Sequence, residues 1–269
     1  MVFNDLSEYA AVDHAPPNGR ISELPPDWWT EYPFDPDEPD SDSVSSHKPT
    51  RDRSDQLTAP GLVGPNCIPV PIASIPELHY IAPISNLESI LKLGILSHNQ
   101  ARTIRHASVA NPEVNQRRAT RRLSSGSTVH DYANLYFNAR NPMLSVLLKG
   151  KSEPLCVVRV RSRVLRLEGV IITDGNAAST LTRDFPVRDE MVLLDRSRVF
   201  LRYWPVPDNP AQEGDNKRCM MAEVLVPDII SPHFIEGIHV DSQSATVLFA
   251  ELIDRSMIRV SEHLFFGRR

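Results

Sequence analysis

The chain has 269 residues, of which 41% are hydrophobic and 23% charged, with 11 glycines and 23 prolines. This is the composition of a globular protein with one or two domains, and it excludes collagen-like and glycine-rich low-complexity classes. Residues 1–75 hold 4 Lys and Arg against 13 Asp and Glu, a net charge of −9, whereas the remainder holds 25 against 21, a net charge of +4. An acidic segment on a basic module is a layout found near nucleic acid.

Residues 1–74 are predicted to form a flexible, acidic, proline-rich extension. The stretch 33–43 combines proline, acidic residues and serine, and has little apolar surface to bury. Trp28 and Trp29 are the exception. They indicate either a short segment docked on the main domain, or a partner-binding motif or an arm over the active site. The folded domain is expected to occupy residues 75–269.

The first predicted elements of that domain are a strand at 78–81 and a helix after it. Ser85 and Glu88 have the spacing of a capping box, and Gly94 is a suitable C-terminal stop. Residues 97–130 show no sustained periodicity, which predicts a long loop with room for a short helix within 109–122.

The rest of the chain reads as short strands separated by loops. Strands are predicted at 155–160, 170–173, 221–226, 235–240 and 257–260, and a short extended piece at 199–203. Residues 132–137 and 143–148 flank a turn at 138–142, residues 205–218 form a proline- and charge-rich loop, and residues 244–252 form a helix. This mixture predicts an α+β fold rather than a doubly wound sheet.

Three classes of feature are absent from the sequence. Cys67, Cys156 and Cys219 form no C-x-x-C pair, and the nine histidines do not cluster at ligand spacing, so neither a disulfide framework nor a metal site is expected. Nucleotide-binding glycine loops and hydrolase motifs are missing. The chain starts without a secretory signal and has no apolar run long enough to span a membrane, which predicts a soluble, cytoplasmic protein.

The segment 99–140 is strongly basic. It contains seven arginines and no lysine, against Glu113 and Asp131, a net charge of +5. Arginine offers a planar fork for phosphate and stacks on bases, and aromatic residues between 132 and 137 could stack on unpaired bases. The alternative interpretation is a solvated surface.

A single carboxylate, Glu223, interrupts the apolar strand predicted at 221–226. Because neighbours on a strand alternate faces, Val224 and Val226 should point away from the face that holds Glu223 and Leu225. A carboxylate beside a long loop suits a cleft. The alternative is a solvent-facing glutamate on an amphipathic strand.

Several blocks of sequence together resemble the DarT family, the NAD-dependent ADP-ribosyltransferase toxins that modify bases in single-stranded DNA. The blocks run from about 77 to 250 and include ELHYIAPISNL at 77–87, VNQRR at 114–118, HDYANLYFNARNPM at 130–143, RYW at 202–204 and DNKRCMMAE at 215–223. The resemblance implies an ADP-ribosyltransferase fold: a mixed or antiparallel split sheet, with NAD held in a cleft between its two halves.

The resemblance also implies roles for individual residues. Glu223 is expected to be the catalytic glutamate and Arg117 the active-site arginine, with Arg118 as the alternative if the alignment slips by one. The residues expected to contact NAD are His79, Tyr80, Ile81, Ala82, Asn86, Arg117 and Arg118. The residues expected to contact nucleic acid are Arg102, Arg105, Arg121, Arg122, His130, Tyr132, Tyr136, Arg140, Lys217 and Arg218.

One departure from the family concerns the first strand. The family usually shows Tyr-His-Ile-Thr where this chain has His79, Tyr80, Ile81 and Ala82. On a strand, that exchange moves the imidazole to the opposite face. Either a local bulge restores the imidazole, or Tyr80 takes its place in the NAD pocket.

The expected reaction transfers ADP-ribose from NAD to a base in single-stranded DNA and releases nicotinamide. Cleaving the nicotinamide–ribose bond builds positive charge on the ribose, which a carboxylate stabilises. An arginine is a poor proton acceptor, so its expected role is electrostatic. Two alternatives remain: RNA or water as the acceptor, and a degenerate module that binds nucleic acid without catalysis. The chain is expected to act as a monomer, with an ADP-ribose-removing antitoxin as its partner.

Overall fold

The computed structural model describes residues 67–150 and 153–266. Trp28, Trp29 and the predicted extension therefore lie outside the described residues, up to residue 66. Strand β1 (Ile68–Pro71) pairs antiparallel with a later strand, Met191–Leu194, and Val70 is buried in the core. The folded part thus begins before the boundary expected near residue 74.

Most strands join one eight-stranded sheet. The twelve strands of the described residues are β1, β2 (Glu77–Pro83), β3 (Ile95–Leu96), β4 (Tyr132–Tyr136), β5 (Leu155–Arg161), β6 (Ile171–Thr173), β7 (Asp184–Pro186), β8 (Met191–Leu194), β9 (Glu223–Pro227), β10 (Ile229–Ile230), β11 (Ile235–Val240) and β12 (Ile258–Val260). The large sheet has the order β12-β11-β5-β2-β4-β9-β6-β7, and all neighbours are antiparallel except β11 and β12. The pairs β1–β8 and β3–β10 form two small ladders.

Short helices lie between the strands. In the described part of the chain they are α1 (Leu87–Leu93), α2 (His98–Ala101), α3 (Pro112–Thr120), α4 (Pro142–Gly150), α5 (Arg196–Val199), α6 (Pro210–Cys219) and α7 (Ala245–Phe249). Within residues 67–150 and 153–266, none of these helices is long and apolar enough to cross a membrane.

The first helix ends as predicted but begins differently. Gly94 follows α1 with a φ of 93°, which favours glycine, and its N–H donates to the carbonyl of Ile90. Ser85 does not cap the helix, because its hydroxyl donates to Glu153 and Asn86 is the N-cap residue. The capping-box prediction was therefore wrong, because the Ser85 hydroxyl donates to the distant Glu153 instead of capping α1.

Two other predictions failed in the second half of the chain. The loop expected at 205–218 contains α6, because Asn209 caps the helix and Pro210 occupies its first turn. The extended piece expected at 199–203 lies instead at the end of α5 and after it. Proline and charge indicated a loop there, yet both are also compatible with the first turn of an exposed helix.

The large sheet has one apolar face and one face with buried polar groups. Tyr80, Val158 and Val224 lie on the apolar face, in the main core. His79 and Glu223 point to the other face, with Leu225 in a smaller cluster. The alternation predicted for Val224 and Val226 is confirmed, because both join the main core.

The sheet opens between its two middle strands. β2 and β4 are paired at a single position, His79 opposite Tyr136, whereas β2 and β5 are paired along their whole length. Tyr136 in turn lies opposite Glu223 on β9. Because directly opposed residues share a face, His79, Tyr136 and Glu223 form one row across the opening.

Candidate active site

Glu223 is the first residue of β9 and has no exposed surface. Its backbone N–H donates to the hydroxyl of Thr173 at 3.0 Å, which ties β9 to the end of β6. The interpretation of Glu223 as a solvent-facing residue was therefore wrong. A carboxylate at this depth must be held by hydrogen-bond donors, since an uncompensated buried charge is strongly unfavourable.

The main donor is Arg118 on α3. Its Nη1 and Nη2 donate to the two carboxylate oxygens of Glu223 at 3.1 and 3.0 Å, and neither side chain is exposed. Asn111 caps α3, and Pro112 stands in the first turn. Val114 and Arg118 are four residues apart, so both turn inward.

A third donor comes from the loop after β6. The N–H of Ala177 donates to Oε1 of Glu223 at 2.8 Å. Arg218 braces this loop, because its Nη1 donates to Asp174 at 2.9 Å and its carbonyl accepts the N–H of Asn176. Gly175 packs so closely on Arg218 that a Cβ there would collide with it.

Two segments, α3 and the loop after β6, therefore donate hydrogen bonds to the carboxylate that β9 carries. A planar guanidinium in two parallel hydrogen bonds gives the strongest and most directional contact available to a carboxylate. Removing one partner of such a buried pair would leave an uncompensated charge, which costs about 3–5 kcal/mol. The arrangement fixes the position of the Glu223 carboxylate and keeps water from it.

The two adjacent arginines of α3 have different surroundings. Arg117 is exposed, and it is Arg118 that reaches Glu223. One residue corresponds to about 100° of rotation around a helix, so neighbours cannot both face inward. The expectation for Arg117 as the active-site arginine is thus not matched by its position, whereas the alternative, Arg118, lies against the carboxylate.

The residues expected to contact NAD divide between the two faces of β2. By alternation along β2, His79 and Ile81 share the face of Glu223, while Tyr80 and Ala82 lie on the opposite face. Tyr80 thus points away from His79, and its expected contact with NAD stays a prediction. Asn86 holds the following segment, because its side chain both donates to and accepts from the backbone of Ala107 at 2.9 and 3.0 Å.

The arginines expected to contact nucleic acid fall into two groups. Arg102, Arg105 and Arg122 are exposed. Arg121 donates to the carbonyl of Thr182 at 2.6 Å and is half-buried. The three exposed arginines can contact a ligand from solvent without breaking a buried contact.

Arg140 and the two tyrosines of β4 are buried instead. Arg140 donates to the carbonyl of His263 and lies 4.0 Å from the ring centroid of Phe266, and burial lowers its pKa to about 9. Tyr132 and Tyr136 are 4% and 0% exposed. These three side chains have little exposed surface in this arrangement, and their expected contact with nucleic acid stays a prediction.

His130 lies next to the Arg118 site. Its ring stacks on His98 with centroids 3.9 Å apart, and Nε2 contacts Asn115 at 2.8 Å. Burial, together with the charges of His98 and Arg118, lowers the pKa of His130 to about 4. The imidazole is therefore neutral at pH 7 and positions Asn115 on α3.

Lys217 and Arg218 on α6 pair with carboxylates of the protein. Lys217 contacts Glu213 at 2.8 Å, and Arg218 contacts Asp174 and Asp215. Arg218 thus positions the loop that donates to Glu223. Sequence analysis missed the contacts that Ala177 and Thr173 make with Glu223.

Comparisons with known proteins identify relatives of this chain in sequence and in fold. The curated "DNA ADP-ribosyl transferase-DNA ADP-ribosyl glycohydrolase fusion protein" of Thermosipho africanus (strain H17ap60334) is 34% identical over 196 residues, which is 71% of this chain and 49% of that protein. The chain therefore spans about half the length of this relative. The solved structure of Thermosipho africanus DarTG with ADP-ribose is 30% identical with a TM-score of 0.61, and the match covers 71% of this chain and 51% of that one.

A second solved structure covers a smaller relative almost completely. Thermus sp. 2.9 DarT in complex with ADP-ribosylated ssDNA has a TM-score of 0.61 at 22% identity, and the match covers 71% of this chain and 96% of that one. The fold is that of the ADP-ribosyltransferases, α+β with a split sheet. Residues 79–266 match the family model described as "ssDNA thymidine ADP-ribosyltransferase, DarT". The chain belongs to the DarT family.

Proposed function

We propose that this protein transfers ADP-ribose from NAD to a thymidine base in single-stranded DNA and releases nicotinamide. The observation that carries the proposal is the buried Glu223–Arg118 pair on the row of His79 and Tyr136, at the opening of the sheet. Family membership supports the reaction class. The solved relatives with ADP-ribose and with ADP-ribosylated ssDNA support the donor and the acceptor.

The side chains of the site are chemically suited to bind NAD, the ADP-ribose donor. NAD carries two ribose rings, which present hydroxyl donors, and a pyrophosphate, which calls for guanidinium or backbone N–H groups. Glu223 supplies a carboxylate and Arg118 a guanidinium. His79 adds an imidazole on the same face of β2.

Within this reaction, we assign Glu223 to the ribose. Its negative charge stabilises the positive charge that develops when the nicotinamide–ribose bond breaks, and it can hold a ribose hydroxyl in place. The guanidinium of Arg118 keeps its proton at any working pH, so it acts through its charge and its geometry. We assign it to holding Glu223 and to stabilising negative charge on the donor or on the attacking base.

Substrate access requires a local movement. Both members of the pair lack exposed surface, and α3 and the loop around Ala177 cover them. A ribose can reach the carboxylate only if one of these segments shifts. We place the acceptor strand beside the exposed arginines Arg102, Arg105 and Arg122, which lie near α3 in the chain.

We also propose a partner and a location. The fused glycohydrolase named in the Thermosipho relative supports a separate or linked partner that removes ADP-ribose from DNA. Cys156 and Cys219 are buried thiols that form no disulfide, which supports a reducing compartment such as the cytoplasm.

The test is a product assay with labelled NAD and matched single-stranded DNA and RNA oligonucleotides, with and without thymidine or uridine. The proposal predicts label on thymidine-containing DNA and no label on the other strands. Label on RNA, or free ADP-ribose as the sole product, would support one of the alternative acceptors instead. No turnover of NAD would indicate a binding module. Glu223→Gln serves as the inactive control.

A further inference from the structure

Three buried ligand-type side chains converge outside the Glu223–Arg118 pair. Glu77 and His79 lie on β2, and His239 lies on β11, two strands away across β5. Nε2 of His239 is 2.9 Å from Oε1 of Glu77, and Nε2 of His79 is 3.3 Å from the same oxygen. One ligand atom from each residue lies within 4.8 Å of the other two.

The spacing of these atoms matches a coordination shell. Zinc–nitrogen and zinc–oxygen bonds of about 2.0–2.1 Å place the corners of a tetrahedron about 3.3 Å apart. Two of the three separations are 2.9 and 3.3 Å.

The surrounding groups already orient the three side chains. Arg159 on β5 donates to Oε2 of Glu77 through Nε at 2.7 Å, which leaves Oε1 turned toward the imidazoles. Nδ1 of His239 contacts the hydroxyl of Ser261 at 2.8 Å. Metal-bound histidines typically hold their other ring nitrogen in such a hydrogen bond, and bound carboxylates are likewise supported.

We propose that Glu77, His79 and His239 bind a divalent transition-metal ion of the zinc class through Oε1, Nε2 and Nε2, with a fourth position left for water. Two histidines and one glutamate are a ligand set that such ions accept. A surface cavity of about 320 Å³ lined by Pro76, Arg161 and Glu236 lies beside the start of β2. The ion would clamp β2 to β11 on the face of the sheet that carries Glu223.

The experiment measures metal binding directly and needs no enzymatic activity. The full-length protein is stripped with a chelator and titrated with Co²⁺ while its visible absorption is recorded, and Zn²⁺ is then added in competition. We expect one equivalent of Co²⁺ to give the d–d bands of a four- or five-coordinate ion without a thiolate charge-transfer band. Zn²⁺ should remove those bands.

The variants test the ligands one by one. His239→Gln and His79→Gln keep a hydrogen-bond donor toward Glu77 but replace the imidazole, and each should weaken Co²⁺ binding at least tenfold. Ser261→Ala should weaken it roughly 10- to 100-fold. His233→Gln, at an exposed histidine, is the matched control and should bind as the wild type does.

Several outcomes would overturn the proposal: no Co²⁺ band in the wild type, a band with thiolate charge transfer, or equal binding by the wild type and His239→Gln. If the variants do not fold, the wild-type spectrum and stoichiometry decide the question. A second readout is the melting temperature, which should rise by roughly 5 °C or more at a hundredfold excess of Zn²⁺ over its dissociation constant. An unchanged melting temperature under that condition would contradict a clamp between β2 and β11.

Discussion

The guanidinium of Arg118 and the carboxylate of Glu223, 105 positions apart in the chain, are joined by two hydrogen bonds of 3.1 and 3.0 Å. Neither side chain has exposed surface. The pair therefore links α3, within the arginine-rich segment, to the first residue of β9 in the middle of the sheet. This link makes both residues sensitive to substitution, in activity and in stability.

Replacing Glu223 with Gln should reduce ADP-ribose transfer by about a hundredfold or more, because the charge that stabilises the ribose is lost while the shape is kept. The loss of the carboxylate leaves Arg118 as an uncompensated buried charge, which should also lower the free energy of unfolding by about 3–5 kcal/mol. Turnover and a urea unfolding curve measure the two effects. Glu168→Gln, at an exposed glutamate, is the control. Retention of more than about a tenth of the wild-type turnover would remove Glu223 from the catalytic role.

The adjacent arginines of α3 offer a matched pair of substitutions. Arg118→Lys removes the bidentate hydrogen bonding to Glu223 and should reduce ADP-ribose transfer by about a hundredfold. Arg117→Lys changes an exposed side chain and should leave NAD turnover within about twofold of the wild type, as surface substitutions usually do. Initial rates at saturating NAD compare the two variants. The reverse pattern would return the active-site role to Arg117.

The exposed arginines should control the salt dependence of DNA binding. Each phosphate contact on a single strand contributes a slope of roughly −0.7 in log K against log salt. The double substitution Arg102→Gln with Arg105→Gln should therefore make that slope shallower by about 1.4. A salt titration of oligonucleotide binding, with the wild type in parallel, measures the change. Identical slopes would mean that these arginines are only a solvated surface.

Arg140 provides the contrasting case among the arginines of the same segment. Its side chain donates to the carbonyl of His263 and stacks on Phe266. Arg140→Gln should therefore lower the melting temperature and leave the salt slope unchanged. Thermal unfolding and the same salt titration separate the two effects. A shallower salt slope with unaltered melting would place Arg140 at the DNA surface after all.

Two truncations should have different consequences. Deleting residues 1–66 keeps β1 and should leave the cooperative unfolding transition in place. Deleting residues 1–75 also removes β1 and the buried side chains of Val70, Ile72 and Ile75, which join the main core. Each buried aliphatic side chain contributes about 1.5–3 kcal/mol, so the longer deletion should be strongly destabilising. Calorimetry of both proteins tests this, and equal melting temperatures would contradict it.

Acid should destabilise the fold through His130. Its pKa is about 4 in the folded protein, against the ordinary histidine value of 6.5, so the unfolded chain binds the proton more readily. Stability is therefore fully present above about pH 6.5 and is lost as the pH falls toward 4, by about 3 kcal/mol at most. Urea unfolding at pH 7, 6 and 5 should show a flatter dependence for His130→Gln. Parallel curves for the two proteins would exclude this contribution.

The strands could be predicted because their signal is local. Ile235–Val240 and Ile171–Thr173 are rich in the β-branched residues isoleucine, valine and threonine, which are enriched in strands. The side of β9 that carries Glu223 was also predictable, since alternation along a strand needs no tertiary information. The helix α6 was not predictable from the sequence, because an asparagine followed by proline is also typical of a turn.

The sequence by itself determined the family, the main strands and the face of β9 that carries Glu223, since these depend on local pattern and on blocks of matching residues. Only the tertiary structure decided that Arg118 rather than Arg117 meets the carboxylate, because the inward side of α3 depends on how the helix packs. The same holds for Glu77, His79 and His239, whose spacing along the chain shows nothing of their proximity. Antiparallel pairing through β5 brings them together, and pairing between distant strands is set by the burial of the whole sheet.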